Sequence, residues 1–308
     1  MSRQHLIESL KRIIPSLDYS KHKGQAGRIG LMGGSREYTG APYYASYTSL
    51  KAGADLSFIF CHESAATAIK SYSPELIVYP TIPNEKGKTT KEIEGQVLDS
   101  MSRFFDSLHV LVIGPGLGRD ETTSSCVKRV IERAREKSLP LDGLFVVQQE
   151  LDLIKGYEWA ILTPNVNEYK NLCKSANLKE DSTVKELSQK LGNVTIVQKG
   201  RHDIVSDGKK EIKNEEEGGP RRCGGQGDIM SGLIGTFLAW CNIHHKSGEK
   251  LSEDSPSYTL LSGYFGSLIT RETSLAAFRK HLRSTTTPDM ISEVGPVMEK
   301  FFPCGAKL

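Results

Sequence analysis

Four times along this chain a short apolar run stops at a glycine-rich or polar turn. Arg28-Ile29-Gly30-Leu31-Met32 runs into Gly33-Gly34-Ser35, and His109 to Ile113 into Gly114-Pro115-Gly116-Leu117-Gly118. Trp159 to Thr163 runs into Pro164-Asn165-Val166-Asn167-Glu168, and Val194 to Gln198 into Lys199-Gly200. Helical patterns follow the first three turns. Strand, turn and helix repeated in this way build a parallel sheet, because each crossover must return over one of its faces. In such a sheet the strand ends lie along one edge, so the four turns converge on one crevice, where open α/β sheets bind ligands. The fold class is α/β: a doubly wound, mostly parallel sheet with helices on both faces, in three layers. No charge-rich linker interrupts the 308 residues, and a single domain with its core at about 24–300 is expected.

Composition narrows the function. Apolar residues make up 38% and charged residues 25%, with a formal net charge of only +3, as in a soluble globular protein. There is no basic stripe with interleaved aromatics, so a nucleic-acid partner is not expected. No apolar run is long enough to span a bilayer, so no membrane partner is expected either. The six cysteines are scattered without a C-x-x-C pair, which fits a reducing compartment. Met1 to Lys23 lacks a continuous apolar segment, and Glu8 and Asp18 weigh against mitochondrial targeting. A cytoplasmic location is expected.

Between the turns, the pattern predicts a first helix over Ser2 to Leu17, broken at Pro15, and a helix after Pro42, with Thr39 near its cap. Strands are predicted at Leu56 to Phe60 and Glu75 to Tyr79, and helices at Glu63–Lys70, Ile93–Phe105, Thr122–Lys137 and Val184–Leu191. His202 to Gly208 reads as a hairpin-like edge feature, Glu211 to Gly219 as a polar mobile stretch, and His244-His245 as loop. Pro256 to Glu272 reads as a helix, and Thr285-Thr286-Thr287-Pro288-Asp289 as the cap of a last one. One unit breaks the rhythm. After Lys137 only Leu139-Pro140-Leu141 stands where a buried strand belongs, so either Leu144 to Val147 is the strand or the strand is shortened.

Arg222-Cys223-Gly224-Gly225-Gln226-Gly227-Asp228 opens directly into an apolar, small-residue helix of at least three turns. A glycine turn entering a helix offers backbone N–H groups without intrahelical partners, a site for an anion. Asp228 at its mouth either accepts a proton from an attacking hydroxyl or caps the helix. Asn165 and Glu168 have the spacing of a capping box, and equally of an amide and a carboxylate serving Mg²⁺ beside a triphosphate. Lys199 is a phosphate ligand or a surface lysine. Gly114 to Gly118 lacks the G-x-G-x-x-G spacing, and there is no G-x-x-x-x-G-K-[ST]. His202 and Asp203, being adjacent, need not face each other. Cys223 has no identifiable base, and Tyr38 stands out among the tyrosines because it lies in the first glycine loop.

Gly225-Gln226-Gly227-Asp228 resembles the Gly-x-Gly-Asp anion hole and catalytic aspartate of the ribokinase-like superfamily. With Gly33-Gly34-Ser35, Tyr38-Thr39-Gly40-Ala41-Pro42, Gly114 to Gly118, Leu162-Thr163-Pro164-Asn165, Glu168, Lys199-Gly200 and Gly224 to Gly232, the chain more closely resembles the ATP-dependent NAD(P)H-hydrate dehydratases. That resemblance implies repair of a damaged cofactor. The S form of hydrated NADH or NADPH is dehydrated while ATP becomes ADP and phosphate, with Mg²⁺ present. It implies Asp228 as base, with Gly225, Gln226 and Gly227 holding the transferred phosphoryl group. Lys199, Gly200, Arg201, His202, Asp203, Gly218, Gly219, Cys223 and Gly224 to Gly227 would cradle ATP. Tyr38, Gly116, Gly118, Asn165, Val166, Asn167, Glu168 and Asp228 would line the hydrated dinucleotide, and Asn165 and Glu168 would organise Mg²⁺ through phosphate or water. A homo-oligomer and a functional link to an NAD(P)H-hydrate epimerase are further implications. The runner-up is a ribokinase-like kinase for a small molecule or vitamin alcohol.

The chain departs from that family at the broken unit. Members carry a strand such as Pro-Leu-Val-Ile-Asp-Ala before Asp-Gly-Leu, whereas here Leu139-Pro140-Leu141 meets Asp142-Gly143-Leu144 directly. About four residues are missing. Loss of most of a central strand costs several kcal/mol, against a net domain stability of about 5–15 kcal/mol. A catalytically impaired nucleotide-binding form is the expectation that follows.

Overall fold

Each of the four apolar runs becomes a strand of one sheet. The computed structural model describes residues 2–84, 87–143, 145–249, 251, 252 and 254–304. The chain opens with α1 (Arg3–Lys11), β1 (Arg28–Met32), α2 (Gly40–Ala52), β2 (Leu56–His62), α3 (Glu63–Tyr72) and β3 (Ile77–Ile82). It continues through α4 (Thr90–Phe105), β4 (Val110–Ile113), α5 (Glu121–Glu136), β5 (Leu141–Gly143), α6 (Phe145–Gln149), β6 (Ala160–Leu162) and α7 (Val166–Ser175). Then come α8 (Val184–Lys190), β7 (Thr195–Gln198), β8 (Asp203–Ser206), β9 (Glu211–Asn214), and the long helices α9 (Gln226–Lys246), α10 (Tyr258–His281) and α11 (Thr287–Phe301).

Among the described residues the sheet has nine strands, in the order β3-β2-β1-β4-β5-β6-β7-β8-β9. Pairing is parallel from β3 to β7, and antiparallel where the β8–β9 hairpin extends the edge. Strand order reverses between β1 and β4, so the loops after these two strands flank the topological switch point. Alternation along β4 serves both faces. Val110 and Val112 join the core with α2, α9, α10 and α11, whereas Leu111 and Ile113 join the one with α4, α5, α7 and α8. Helix α9 is apolar nearly all round and correspondingly buried. Gly232 lets it lie directly on the Ala45 carbonyl of α2, where a β-carbon would collide.

Several elements differ from the sequence expectations. Helix α1 ends at Lys11, ahead of Pro15, and β3 begins at Ile77 and runs through Pro80 to Ile82. Glu211 to Asn214 pairs with β8 and is an ordered edge strand. His244 and His245 form the last turn of α9, which runs for 21 residues, and α10 continues past Glu272 to His281.

The broken unit resolves in favour of a shortened strand. Leu144 lies outside the described residues, and Phe145 onward is helical, so Phe145 to Val147 does not slide into the sheet. The three-residue β5 closes the gap between its neighbours, pairing Leu141, Asp142 and Gly143 with Leu111, Val112 and Ile113 of β4. Leu141 and Asp142 also pair with Ala160 and Ile161 of β6. Backbone bonds extend the ladder on each side: Leu111 N–H donates to Pro140 O at 2.9 Å, and Leu141 N–H to Trp159 O at 3.0 Å. Beside the strand a void of only about 10 Å³ remains, lined by Leu141, Val147 and Ile154 among others. That is room for one water at most.

Candidate active site

Helix α9 starts without a side-chain cap. Gly225, its N-cap residue, takes φ +96°, and a β-carbon there would lie 2.8 Å from Thr287 and 2.9 Å from Tyr44. Only glycine fits, in both conformation and space. Thr287 at the start of α11 donates its hydroxyl to the Gly224 carbonyl, pinning the turn. Around Gly224 nothing stands within 4 Å of a would-be β-carbon, and at Gly227 the sole neighbour is Lys199 Nζ at 3.8 Å. Space is therefore open beside the first turn, with an ammonium at its edge, and a helix N-terminus so placed suits a phosphate.

Asp228 lies in that first turn, half-buried. Burial pushes its carboxyl up to about 7, while the Lys199 ammonium pulls the other way. A carboxylate that changes protonation near neutrality suits general base work better than capping. No side-chain cap bond forms at this helix end.

Lys199 follows β7, and its N–H donates to Pro164 O at 2.9 Å, joining the loop after β7 to the loop after β6. Asn165 caps α7 by accepting from the N–H groups of Asn167 and Glu168 at 2.9 and 3.0 Å. Glu168 closes the capping box by accepting from Asn165 N–H at 2.7 Å through Oε2. The box therefore forms, and it uses one Glu168 oxygen. Asn165, Val166 and Asn167 are exposed around this turn. Among the described residues no group of three or more His, Cys, Asp or Glu side chains gathers as a metal cage. Mg²⁺ suits this arrangement, since it usually keeps several waters and binds through one or two carboxylates and substrate phosphates.

Asp203 is 2% exposed, and its carboxylate is fully engaged. It receives Gly200 N–H at 2.9 Å, Ser267 Oγ at 2.6 Å, and Arg271 through Nη2 at 2.6 Å and Nε at 2.9 Å. Arg271 also donates to the carbonyls of Gly200, Arg201 and Glu216 at 2.8, 2.9 and 3.1 Å. This forked, buried pair fixes the loop from Lys199 to Asp203 against α10. His202 is not its catalytic partner; its Nδ1 is buried without a hydrogen bond among the described residues. Gly218 and Gly219 run along α10, against Arg271 and Ser274. Gln226 reaches back to Arg221 O at 3.1 Å, and Cys223 lies 3.9 Å from Met290 sulfur, as a packing thiol would.

The loops flanking the switch point meet as the topology requires. Gly116 has φ +64°, and a β-carbon there would lie 2.7 Å from Tyr38 O and 3.2 Å from Pro42. Gly118 packs on Ser35 in the same way. Tyr38 is 61% exposed at the rim. The first turn of α2 bridges the two halves of the crevice, Pro42 touching the Gly116 loop and Tyr44 the Gly225 turn. Sequence reasoning missed Tyr44, Arg271, Thr287 and the buried Asp142. Only Thr287 carried a readable sign, its place in a predicted cap.

Residues 29–295 match the NAD(P)H-hydrate dehydratase family. An ATP-dependent (S)-NAD(P)H-hydrate dehydratase of Homo sapiens is 44% identical over 97% of this chain and 85% of its own length. The Ciona intestinalis protein of that description is 43% identical over 96% and 81%. Among solved structures, a ribokinase-like superfamily protein of Enterococcus faecalis superposes with a TM-score of 0.73 at 22% identity, covering 96% of this chain and 94% of the other. The ADP/ATP-dependent NAD(P)H-hydrate dehydratase of Bacillus subtilis, co-crystallised with ATP/Mg²⁺, gives 0.65 at 20% identity over 96% and 97%. The fold is ribokinase-like, and by sequence the chain belongs to the ATP-dependent NAD(P)H-hydrate dehydratase family.

Proposed function

We propose that this protein dehydrates the S form of hydrated NADH and NADPH at the expense of ATP, as a single catalytic domain. The observation that carries the reading is Asp228, an aspartate of raised pKa in the uncapped first turn of α9 with Lys199 beside the same turn. Hydroxide is a poor leaving group and phosphate a good one. Asp228 takes the proton of the 6-hydroxyl as its oxygen attacks the γ-phosphorus of ATP, and ADP departs. The N–H groups of Gln226, Gly227 and Asp228, with the Lys199 ammonium, stabilise the charge on the transferred group. The ring-nitrogen lone pair then expels phosphate from C6, and loss of a proton from C5 restores the C5–C6 double bond. Mg²⁺, when bound, neutralises charge on the phosphates. The turn at Asn165 and the second carboxylate oxygen of Glu168 would hold it through water and phosphate.

In this reading Lys199 to Asp203, Gly218, Gly219 and Cys223 to Gly227 frame ATP. Tyr38, Gly116, Gly118 and Asn165 to Glu168 frame the dinucleotide. An enzyme that consumes one epimer is served by an epimerase that converts the other. The same reading includes a homo-oligomer in a reducing cytoplasm, consistent with the free thiols of Cys61, Cys173, Cys223, Cys241 and Cys304. Among the described residues no helix is long and apolar enough to cross a membrane.

The test is incubation with Mg²⁺, ATP and S-form NADH hydrate. Reduced-nicotinamide absorbance should return one-for-one with ADP, and Asp228→Ala should abolish both. The short β5 favours one second reading, a disabled member of the family. It gains if only a version with Val-Ile-Asp-Ala inserted before Asp142 turns over. Silence in both, with ATP bound, moves a ribokinase-like small-molecule kinase ahead.

A further inference from the structure

Arg28 opens β1 and His109 stands just before β4, at the amino ends of two central strands. The two residues clamp each other. His109 N–H donates to Arg28 O at 3.0 Å, and Arg28 N–H donates to His109 Nδ1 at 3.0 Å. An imidazole nitrogen that accepts a hydrogen bond carries no proton, so the ring's hydrogen is on Nε2. That Nε2 lies 3.3 Å from Arg28 Nη2. Both atoms are then donors, and neither can accept from the other. The guanidinium is held there through Nε, which donates to Ser107 O at 2.5 Å. Among the described residues no carboxylate forms an ion pair with Arg28. Asp55, the acidic group nearby, spends its Oδ2 on the N–H groups of Gly24 and Ala26 at 2.7 and 2.8 Å. Two half-buried donors side by side ask for one acceptor that takes both.

Both residues line a cleft of about 720 Å³ at the amino edge of the sheet, together with Arg12, Lys21, His244 and Glu249. Three cations thus stand against one carboxylate, and Glu249 already lies 3.3 Å from His244 Nε2. A water molecule would satisfy the two donors but none of that charge. We propose that the Arg28–His109 fork is the floor of a second anion site, one that takes the phosphate or carboxylate group of a small molecule. It stands independently of the reading given to the catalytic crevice. The crevice begins at the other end of the five-residue β1, roughly 16 Å away at the rise of a strand. The electrostatics agree with an awaited anion. Burial, then Arg28 and Lys246, push His109 down to about 4 against the opposing pull of Asp55, so the ring stays neutral near pH 7 and keeps its donor on Nε2.

The probes are inorganic phosphate and acetate, each titrated into the isotope-labelled full chain beside sodium chloride of equal ionic strength. The NMR signals followed are the His109 imidazole and the Arg28 Nε–H. Both should shift together and saturate with one of the two anions, and the tighter probe names the ligand class. Shifts that never saturate, or that sodium chloride reproduces, mean that water alone bridges the donors, and they overturn the proposal. A phosphate response lost in Lys199→Met reports binding in the crevice instead, and overturns it as well. His109→Asn places an amide oxygen where Nδ1 accepts the Arg28 N–H but removes the Nε2 donor. Its Kd, read from Arg28 Nε–H, should rise about tenfold, the factor that about 1.4 kcal/mol carries. His109→Gln retains a donor near the Nε2 position and should weaken binding by less. Equal affinity in the parent and His109→Asn refutes the fork. The titration of the parent decides the matter even if neither variant folds.

Discussion

Asp228→Asn should cost activity and return stability, and the return should depend on pH. As general base, Asp228 carries about 10²–10⁴ in rate, so kcat should drop by that factor. Its carboxyl titrates near 7 in the fold against 3.8 in the unfolded chain. The sign follows from linkage: the folded state binds the extra proton, so this group's contribution is fully present below 3.8 and is lost as pH rises through 7. Asparagine has no such loss. Between pH 5 and pH 8.5 about two units of the shift act, at most about 2.7 kcal/mol, and partial solvent access roughly halves that. For a chain of this size about 1.4 kcal/mol corresponds to a gap in Tm about 3 °C wider at pH 8.5 than at pH 5. Calorimetry of both proteins at the two pH values measures it, and groups that titrate alike in both cancel. A variant equally displaced at both pH values would refute the reasoning, because Asp228 would then not be held protonated by burial. Full dehydration activity in the variant would remove it from the chemistry.

Three further outcomes are expected. Arg271→Ala leaves the buried Asp203 carboxylate without its cation and should destabilise by about 3–5 kcal/mol, with a raised KM for ATP, since Arg271 also holds the Gly200 and Arg201 carbonyls; denaturant titration and initial-rate kinetics check both. Gly116→Ala must push a methyl against Tyr38 O at φ +64° and should cost about 1–3 kcal/mol. In kinetics it should raise the KM for the hydrated dinucleotide and leave that for ATP alone. Inserting Val-Ile-Asp-Ala before Asp142 lengthens β5 from three residues and should raise Tm by several degrees, at about 2–4 °C per kcal/mol, and thermal melting beside the parent decides it.

The turns were legible because local geometry demands their residues. A positive φ at Gly116, Gly118 and Gly225 and backbone contact at Gly33 leave little choice of side chain, so glycine marks them in the sequence. Short apolar runs and the count of strand–turn–helix units gave the sheet, and the same count exposed the short β5. Asn165 and Glu168 show where local reading stops. Their spacing spelled a capping box, which forms, but spacing is silent on what the remaining oxygen of Glu168 does. Asp203 and Arg271 lie 68 residues apart, and nothing near either one announces the other. Asp142 was read only as the edge of a gap. Its burial, with an Oδ2 that has no hydrogen-bond partner among the described residues, is set only by the folded chain.

A parallel sheet concentrates its chemistry at the carboxyl ends of its strands, and this explains how β5 can be short without emptying the site. The register pairs Asp142 with Val112 and Gly143 with Ile113, the last residue of β4. The ligand edge is therefore flush. The missing length is taken up at the other end, where α5 stops at Glu136 and Ser138, at φ +52°, turns the chain directly into Leu139 and Pro140. Had the slack fallen at the carboxyl end, Asp142 would sit below the crevice. Because the side-chain period of a strand is two, a slip of one residue would have turned Asp142 to the opposite face of the sheet, away from α9. The cost of the short strand thus falls on ladder hydrogen bonds and apolar cover, and so on stability, while the groups that meet at the first turn of α9 keep their places.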